Sequence, residues 1–552
     1  MENANVIKNP GKSGTNPRTV RTSIMIGLIL GMLLACIDGT VVGTSLPQIT
    51  ADFPNGMALY TWLITGYLLA ETIVTPIAGK MSDLYGRKPI FLAGMILFLG
   101  GSIFAGFSQS MEWLIIARVV QGLGGGMLIP VAMATVADLY EPQERGKIQG
   151  ILGAIFAIAS AIGPFIGGVI VDHATWHWVF FVNIPVGILA IAFTAIKFPK
   201  VQADSNIKID YPGIATLSAF LALLVVIVTF GGSTYAWNSM EIIGMALAAI
   251  IFLGLFIYLE TRVEEPLVPL RLFRSRTFVA GCSGLLIMSL GLFGILTYVA
   301  MFLQRYVGLS ATNSGATLIP LTIGMTITSI GSGFLLKKTG YMPWLIVGPP
   351  VSAIGLYLIS TLGMGSPQSE ASLYLIIAGL GMGCVMSNFI VAAQNITARR
   401  DMGVMTSTMS LFRSIGGTVG AALIGSLINN RMMVELQERL PPDVFNAPGV
   451  PHDTGIMDAM NSIIDAFPQF PGLDTSIIMS YGQSLSYAFV ICSIIVLATI
   501  IASLLVKRIP LKTDEEYEQI NLEAERAHEE EMAKRNEKKL QKANKHKGNG
   551  SG

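Results

Sequence analysis

The chain has 552 residues, of which 52% are hydrophobic and 13% charged, with a mean hydropathy of +0.61 and a net charge of +1. A soluble protein of ordinary composition carries about 25% charged residues, so one large soluble domain is excluded. The near-zero net charge gives no sign of a nucleic-acid partner, and none is expected.

Charge is almost absent from fourteen stretches of roughly 20 residues, the length a helix needs to cross about 30 Å of hydrocarbon. They fall near 22–46, 59–80, 89–107, 112–137, 148–171, 178–198, 212–231, 241–260, 278–303, 314–336, 343–362, 371–396, 404–428 and 484–506. This predicts an all-α polytopic membrane protein. With fourteen spans, Arg305, Arg431 and Arg439 fall on one side and Arg118 and Arg413 within spans, leaving 31 of the 36 Lys and Arg on the other. That segregation places both termini in the cytoplasm. Cys36, Cys282, Cys384 and Cys492 all lie in predicted spans and read as packing residues, with no disulfide framework.

After a cytoplasmic segment 1–21, the first six spans occupy 22–198 and the last six 278–506, with two extra spans in the linker 199–277. The division rests on a faint internal repeat. Gly79 to Gly86, followed by Pro89, is echoed by Gly333 to Gly340, followed by Pro343, at an offset of 254. Gly122, Gly124 and Gly126 are echoed by Gly379, Gly381 and Gly383, and Gly146 by Gly403, at an offset of 257. Internal repeats with a substrate site between them are a general transporter plan. The extra pair has a charge-free interior and is expected to pack or meet lipid. A long outer loop, 429–483, contains the apolar run MDAMNSIIDAF. The charged tail 507–552 is expected to form a solvated helix.

Four ionisable residues lie inside spans: Asp38, Glu71, Arg118 and Arg413. Such groups require a partner or a water-filled cavity. At about 1.5 Å per residue, Asp38 and Arg118 lie ~12 and ~9 Å from the outer face, and Glu71 and Arg413 each ~13 Å from the cytoplasmic face. Depth thus predicts the pairs Asp38–Arg118 and Glu71–Arg413. Two readings stand at this point. Buried ion pairs can fix helix register. Alternatively, an acid balanced between burial and a nearby Arg can take up a proton when its surroundings change from wet to dry, which makes Asp38 a candidate proton carrier.

The motifs carry a resemblance. GKMSDLYGRKP (79–89) resembles the signature loop of the major facilitator superfamily, with Gly79, Asp83, Gly86, Arg87 and Lys88 at the family's positions. IDGTVVGTSLP (37–47) resembles the first-span motif of its fourteen-span drug:proton antiporter branch, the EmrB/QacA type, with Asp38 at the acidic position and Gly43 where Asn is common. Arg118, Gln121 and Gly122 match the fourth-span motif, whose Arg is implicated in proton transfer. Gly150, Gly163, Pro164, Gly167 and Gly168 match the fifth-span antiporter motif, with Ala159 replacing one glycine. TWHWVFFVNIPVG (175–187) follows as the next landmark, with His177 where Arg is usual, and LFRSIGG places Arg413 at the branch's thirteenth-span Arg.

The resemblance implies a major facilitator fold of two six-helix bundles plus two central spans. It implies a monomer in the plasma membrane that exports lipophilic, cationic drugs in exchange for protons, the loop 79–89 acting as a charge latch. Glu71 beside Asp38 would favour cationic substrates. A related expectation is proton-coupled export of one natural substrate, such as a lipid, siderophore or tetracycline-like compound. No GxxxxGK[ST] occurs, so no ATP-driven pump is indicated. No cofactor, metal site or catalytic signature is expected, and the partners are a small molecule, protons and membrane lipid.

Overall fold

The computed structural model describes residues 17–53, 56–140, 142–198, 210–231, 235–263, 266–309, 311–398, 401–441, 473–508, 510–513, 515–524 and 526. Among them the structure is helical, with no strand. The N-terminal half contains α1 (Pro17–Asp52), α2 (Gly56–Tyr85), α3 (Arg87–Gly106), α4 (Met111–Leu139), α5 (Pro142–His173) and α6 (Asn183–Lys197), the last preceded by the single turn Trp178–Phe181. The inserted pair is α7 (Tyr211–Phe230) and α8 (Met240–Glu260). The C-terminal half contains α9 (Arg276–Phe302), α10 (Ile319–Thr339), α11 (Met342–Ser360), α12 (Gln368–Gln394), α13 (Met402–Arg439) and α14 (Leu473–Leu505).

Twelve of these helices are long and apolar enough to cross a membrane, and the remaining two, α2 and α5, are 30 and 32 residues long. Exposed Ile196, Ile250 and Ile501 belong to an apolar outer surface that suits lipid. Helix starts are locally encoded. Ser110, Asp210 and Ser239 accept the backbone N–H three residues on, opening α4, α7 and α8. All four cysteines are free and buried.

The internal repeat is visible as repeated contact. Within the N-terminal half, a Cβ on Gly122 would strike the Tyr67 carbonyl, one on Gly124 the Phe98 backbone, and one on Gly126 the Glu71 carbonyl. Within the C-terminal half, Gly379 meets the Leu321 carbonyl, Gly381 the Ser352 backbone and Gly383 the Met325 carbonyl. Each partner is displaced by 254 residues and each glycine by 257, so the same interhelical approach was built twice. The turns agree as well: Gly86 and Gly340 have φ of 90° and 66°, a region that L-residues other than glycine rarely enter.

The halves meet along two seams, α2 against α13 and α5 against α10. Helix α7 lies over the first seam: its Leu217 and Leu221 share one apolar cluster with Ile73 and Ile77 of α2 and Leu411 and Ile415 of α13. The inserted pair therefore packs across both halves through α7, while α8 leaves Ile243, Leu247 and Ile250 exposed.

Two expectations need correction. The loop expected over 429–483 is partly helical, because α13 continues to Arg439 and α14 begins at Leu473. Arg431 and Arg439 each pair with Glu435 four residues away, at 2.6 and 3.4 Å, and such i,i+4 pairs sustain a helix outside hydrocarbon. The run MDAMNSIIDAF lies outside the described residues. The tail is not wholly solvated: Tyr517 is 3% exposed and packs on the C-terminal core, which gives the segment apolar contact that its charged composition concealed.

Candidate functional site

Asp38 sits mid-way along α1, 1% exposed. Small residues let the neighbouring helices close around it. A Cβ on Gly101 of α3 would lie 2.6 Å from the Gln121 backbone nitrogen of α4, so α3 approaches α4 closely enough for Ser102 to reach Gln121. Arg118 and Gln121 stand three residues apart on one face of α4. Arg118 Nη1 donates to Asp38 Oδ2 at 2.5 Å and to Gln121 Oε1 at 2.7 Å. Gln121 Nε2 and Asn183 Nδ2 both donate to Asp38 Oδ1, at 2.7 and 2.9 Å. Ser102 Oγ accepts from both amides, at 3.3 and 3.0 Å, and donates to the Phe180 carbonyl at 2.9 Å. The Tyr67 ring lies under the Arg118 guanidinium, 4.2 Å from Cζ to centroid, where a cation–π contact out of water is favourable.

Four helices therefore supply a carboxylate, its counter-ion and three neutral polar groups, all buried. Each donor aimed at Asp38 satisfies a carboxylate oxygen that burial would otherwise leave unpaired. Arg118 Nε has no hydrogen-bond partner, so the guanidinium retains an unused donor. The equivalent C-terminal positions hold Leu375 for Arg118, Ala378 for Gln121, Leu321 for Tyr67 and Met325 for Glu71. At these four positions the C-terminal half is apolar, so the Arg118–Gln121–Tyr67–Glu71 set has no counterpart there.

The predicted pair Asp38–Arg118 is thus an ion pair. Glu71 and Arg413 lie on α2 and α13, helices that face each other across the seam, and each is within the other's electrostatic field. Glu71 also feels Arg118 and Asp38, so one field spans all four predicted charges.

The 79–89 motif forms a second cluster at one end of the bundle. Asp83 Oδ1 accepts the Gly403 N–H at 3.0 Å and Oδ2 the Val404 N–H at 2.8 Å, at the first turn of α13 in the other half. The side chain acts as an N-cap supplied from another helix, favoured by the positive end of the helix dipole. Arg87 Nη1 holds Asp83 Oδ1 at 2.5 Å and Arg87 Nε holds Asp138 Oδ2 at 2.8 Å. Burial lifts Asp83 to about 6, against the opposing pull of Arg87 and the Val404 amide. Gly79 lies against Ser407 and Gly403, and a side chain on Gly403 would strike Asp83. Lys88 Nζ donates to the Ala195 and Phe198 carbonyls at 2.8 and 2.7 Å, capping the C-terminal end of α6.

The fifth-span motif is a packing surface. Gly150 meets the Ser329 backbone of α10 across the second seam, Gly163 meets Thr40 of α1, and Gly167 is buried. Pro164 and Gly168 lie in α5, and their surroundings fall outside the described residues. Sequence reasoning missed Asn183, Ser102, Tyr67 and Asp138 as site residues. Asn183 was within reach, as the polar residue inside the apolar run FFVNIPVG; Ser102 and Tyr67 carried no local signal.

Comparison with known proteins agrees with this architecture. The sequence model of the Major Facilitator Superfamily matches residues 28–421. The multidrug transporter protein MdtP of Bacillus subtilis (strain 168) is 40% identical over 449 residues, 81% of this chain and 82% of that protein. Multidrug resistance protein 3 of the same organism is 35% identical over 408 residues, covering 74% and 79%. Among solved structures, the proton:xylose symporter XylE superposes with a TM-score of 0.60 at 14% identity, covering 91% of this chain and 99% of that one. The human organic anion transporter MFSD10 gives 0.58 at 13% identity, covering 87% and 99%; both likenesses concern the fold alone. With a family match over most of its length and a helical bundle shared with two solved members, the chain belongs to the major facilitator superfamily of membrane transporters, which are carriers and not enzymes.

Proposed function

We propose that the protein exports lipophilic, cationic drugs or toxic compounds across the plasma membrane in exchange for protons, by alternating access. In this reading all fourteen helices cross the bilayer, and the Asp83 end and both termini face the cytoplasm. The observation that carries it is the Asp38 carboxylate, sealed from water and held by Arg118, Gln121 and Asn183. The protein's relatives, a multidrug transporter and a multidrug resistance protein, support drug export.

The coupling follows from charge balance. A proton on Asp38 neutralises it and leaves Arg118 buried without a counter-ion, a condition that costs about 3–5 kcal/mol. Glu71 is the next acid in the field of Arg118. It is one helical turn from Tyr67, which stacks on the guanidinium. Turning Arg118 towards Glu71 loosens α1 from α4 and alters the field at Arg413 across the α2–α13 seam. Protonation in one half thus becomes a bias on the contact between halves, and a cation near Glu71 opposes it.

Everted vesicles test the reading. Several unrelated lipophilic cations, each added alone, are expected to discharge an imposed pH gradient in wild-type vesicles and not in Asp38→Asn vesicles. Discharge by a single compound would favour the alternative, an exporter of one natural substrate; no discharge by any would reject proton exchange.

A further inference from the structure

The segment after α14 was expected to be solvated, yet it is seated in a groove formed by both halves at the Asp83 end. On the N-terminal side of that groove is Arg145, in the first turns of α5 and 2% exposed. Its Nε donates to the Tyr140 carbonyl at 3.2 Å and its Nη1 to the Gln394 carbonyl of α12 at 3.3 Å. On the C-terminal side are Gln394, Asn395 and Thr397, at the end of α12. Asn395 clamps the segment through both amide atoms: Nδ2 donates to the Pro510 carbonyl and Oδ1 accepts the Lys512 N–H, each at 3.0 Å.

The chain then turns into a short helix, residues 515–524. Thr513 Oγ1 accepts the Glu516 N–H at 3.4 Å, and Glu516 Oε2 accepts the Thr513 N–H at 2.8 Å. This is the reciprocal T-x-x-E capping arrangement. A helix this short is marginal alone, so the cap and the groove together keep it folded. Its first turn aims Tyr517 inward. The hydroxyl donates to the Thr397 carbonyl at 2.9 Å, and the ring lies 4.5 Å from the Arg145 guanidinium. Leu511 and Ile520 pack on the C-terminal core.

We propose that this groove is a binding surface for the chain's own residues 510–513 and 515–524, which act as a strap holding the Asp83 end closed. The strap belongs to the C-terminal half through Asn395 and Thr397, and it presents one aromatic ring to a cation of the N-terminal half. When that end opens, α5 and α12 part. The Asn395 clamp and the Tyr517–Thr397 bond can survive this, whereas the Arg145–Tyr517 stack and the Arg145–Gln394 bond cannot. The strap therefore adds to the Asp83 latch at a second, separate point, and its strength contributes to how seldom the end opens. The inference requires the halves to separate here; it requires neither proton exchange nor any particular drug.

The test measures distance and not transport, so it can fail independently of the proposed function. Spin labels at Glu144, exposed on α5, and Lys338, exposed on α10, report the separation of the halves at this end in the purified full chain. A cation–π contact of this kind corresponds to about a 2- to 30-fold change in an equilibrium. Tyr517→Ala is expected to raise the open-to-closed ratio by that factor, and truncation after residue 509 by at least as much. Tyr517→Phe, which keeps the ring, is expected to stay within about twofold of the wild type. A synthetic peptide of residues 510–526 added to the truncated chain is expected to restore the shorter distance. Should the truncated chain fail to fold, Tyr517→Ala decides alone. An unchanged distance distribution in Tyr517→Ala overturns the proposal.

Discussion

Replacing Asn183 by Leu removes one donor from the buried acid while keeping a side chain of similar length. The Asn183 amide donates to Asp38 Oδ1 at 2.9 Å and to Ser102 Oγ at 3.0 Å. A hydrogen bond to a charged group contributes about 1.5–3 kcal/mol, and one pH unit corresponds to about 1.36 kcal/mol. Losing it should therefore move the pH midpoint of transport by about one to two units. Gln121 still reaches the same oxygen at 2.7 Å, which favours the lower figure. The donor stabilises the carboxylate, so its removal makes protonation easier and the midpoint rises. The assay is substrate-driven proton movement in everted vesicles across a pH series, with the variant's melting temperature as a folding control. A midpoint that stays in place while transport persists would refute the idea that Asn183 tunes Asp38. A conformational block would lower the maximal rate without moving the midpoint.

Other expected outcomes follow from the same geometry. Glu71→Gln should weaken transport of cationic substrates more than neutral ones in a substrate panel, and equal loss for both would make Glu71 structural. Asp83→Asn should slow cycling without altering the substrate range, measured as turnover across that panel. Burial holds docked Asp83 near 6, against about 3.9 for a solvated Asp. The docked state therefore binds the proton more readily, and lowering the pH on that side to 6 should favour closure about twofold in the wild type. The Asp83→Asn variant should lack this dependence in the same spin-label measurement. Gly124→Val should lower the melting temperature by several degrees or prevent folding, since its side chain meets the Phe98 backbone and overpacking costs roughly 1–3 kcal/mol or more.

Much of the fold was legible because a bilayer simplifies the code. Long uncharged stretches mark helices. The glycine echoes carried further information, because Gly122, Gly124 and Gly126 are each required by a particular neighbouring backbone. The site was legible where a residue was costly: Asp38 and Arg118 stand out as charges in apolar sequence, and depth alone paired them. Ser102 and Tyr67 did not stand out, since hydroxyls and aromatic rings are ordinary in such helices and only the fold gives them a carboxylate or a guanidinium to meet. Asp138 lies just beyond the predicted fourth span, where a charge is ordinary, so nothing local marks it as the residue that completes the Arg87 fork at 2.8 Å. The seating of Tyr517 was hidden in a segment whose composition speaks for solvent. Its cap, Thr513 with Glu516, is a local signal that reveals where the helix starts and not where it docks.

The central claim is that Asp38 exchanges a proton as the halves rearrange. Difference infrared spectroscopy of the purified carrier, taken between forms closed and open at the Asp83 end and across pH, reads that carboxyl group directly when Asp38→Asn is subtracted. The account predicts a protonated-carboxyl band that depends on Asp38 and appears in one form and not the other. A carboxylate signal identical in both forms at every pH would contradict it.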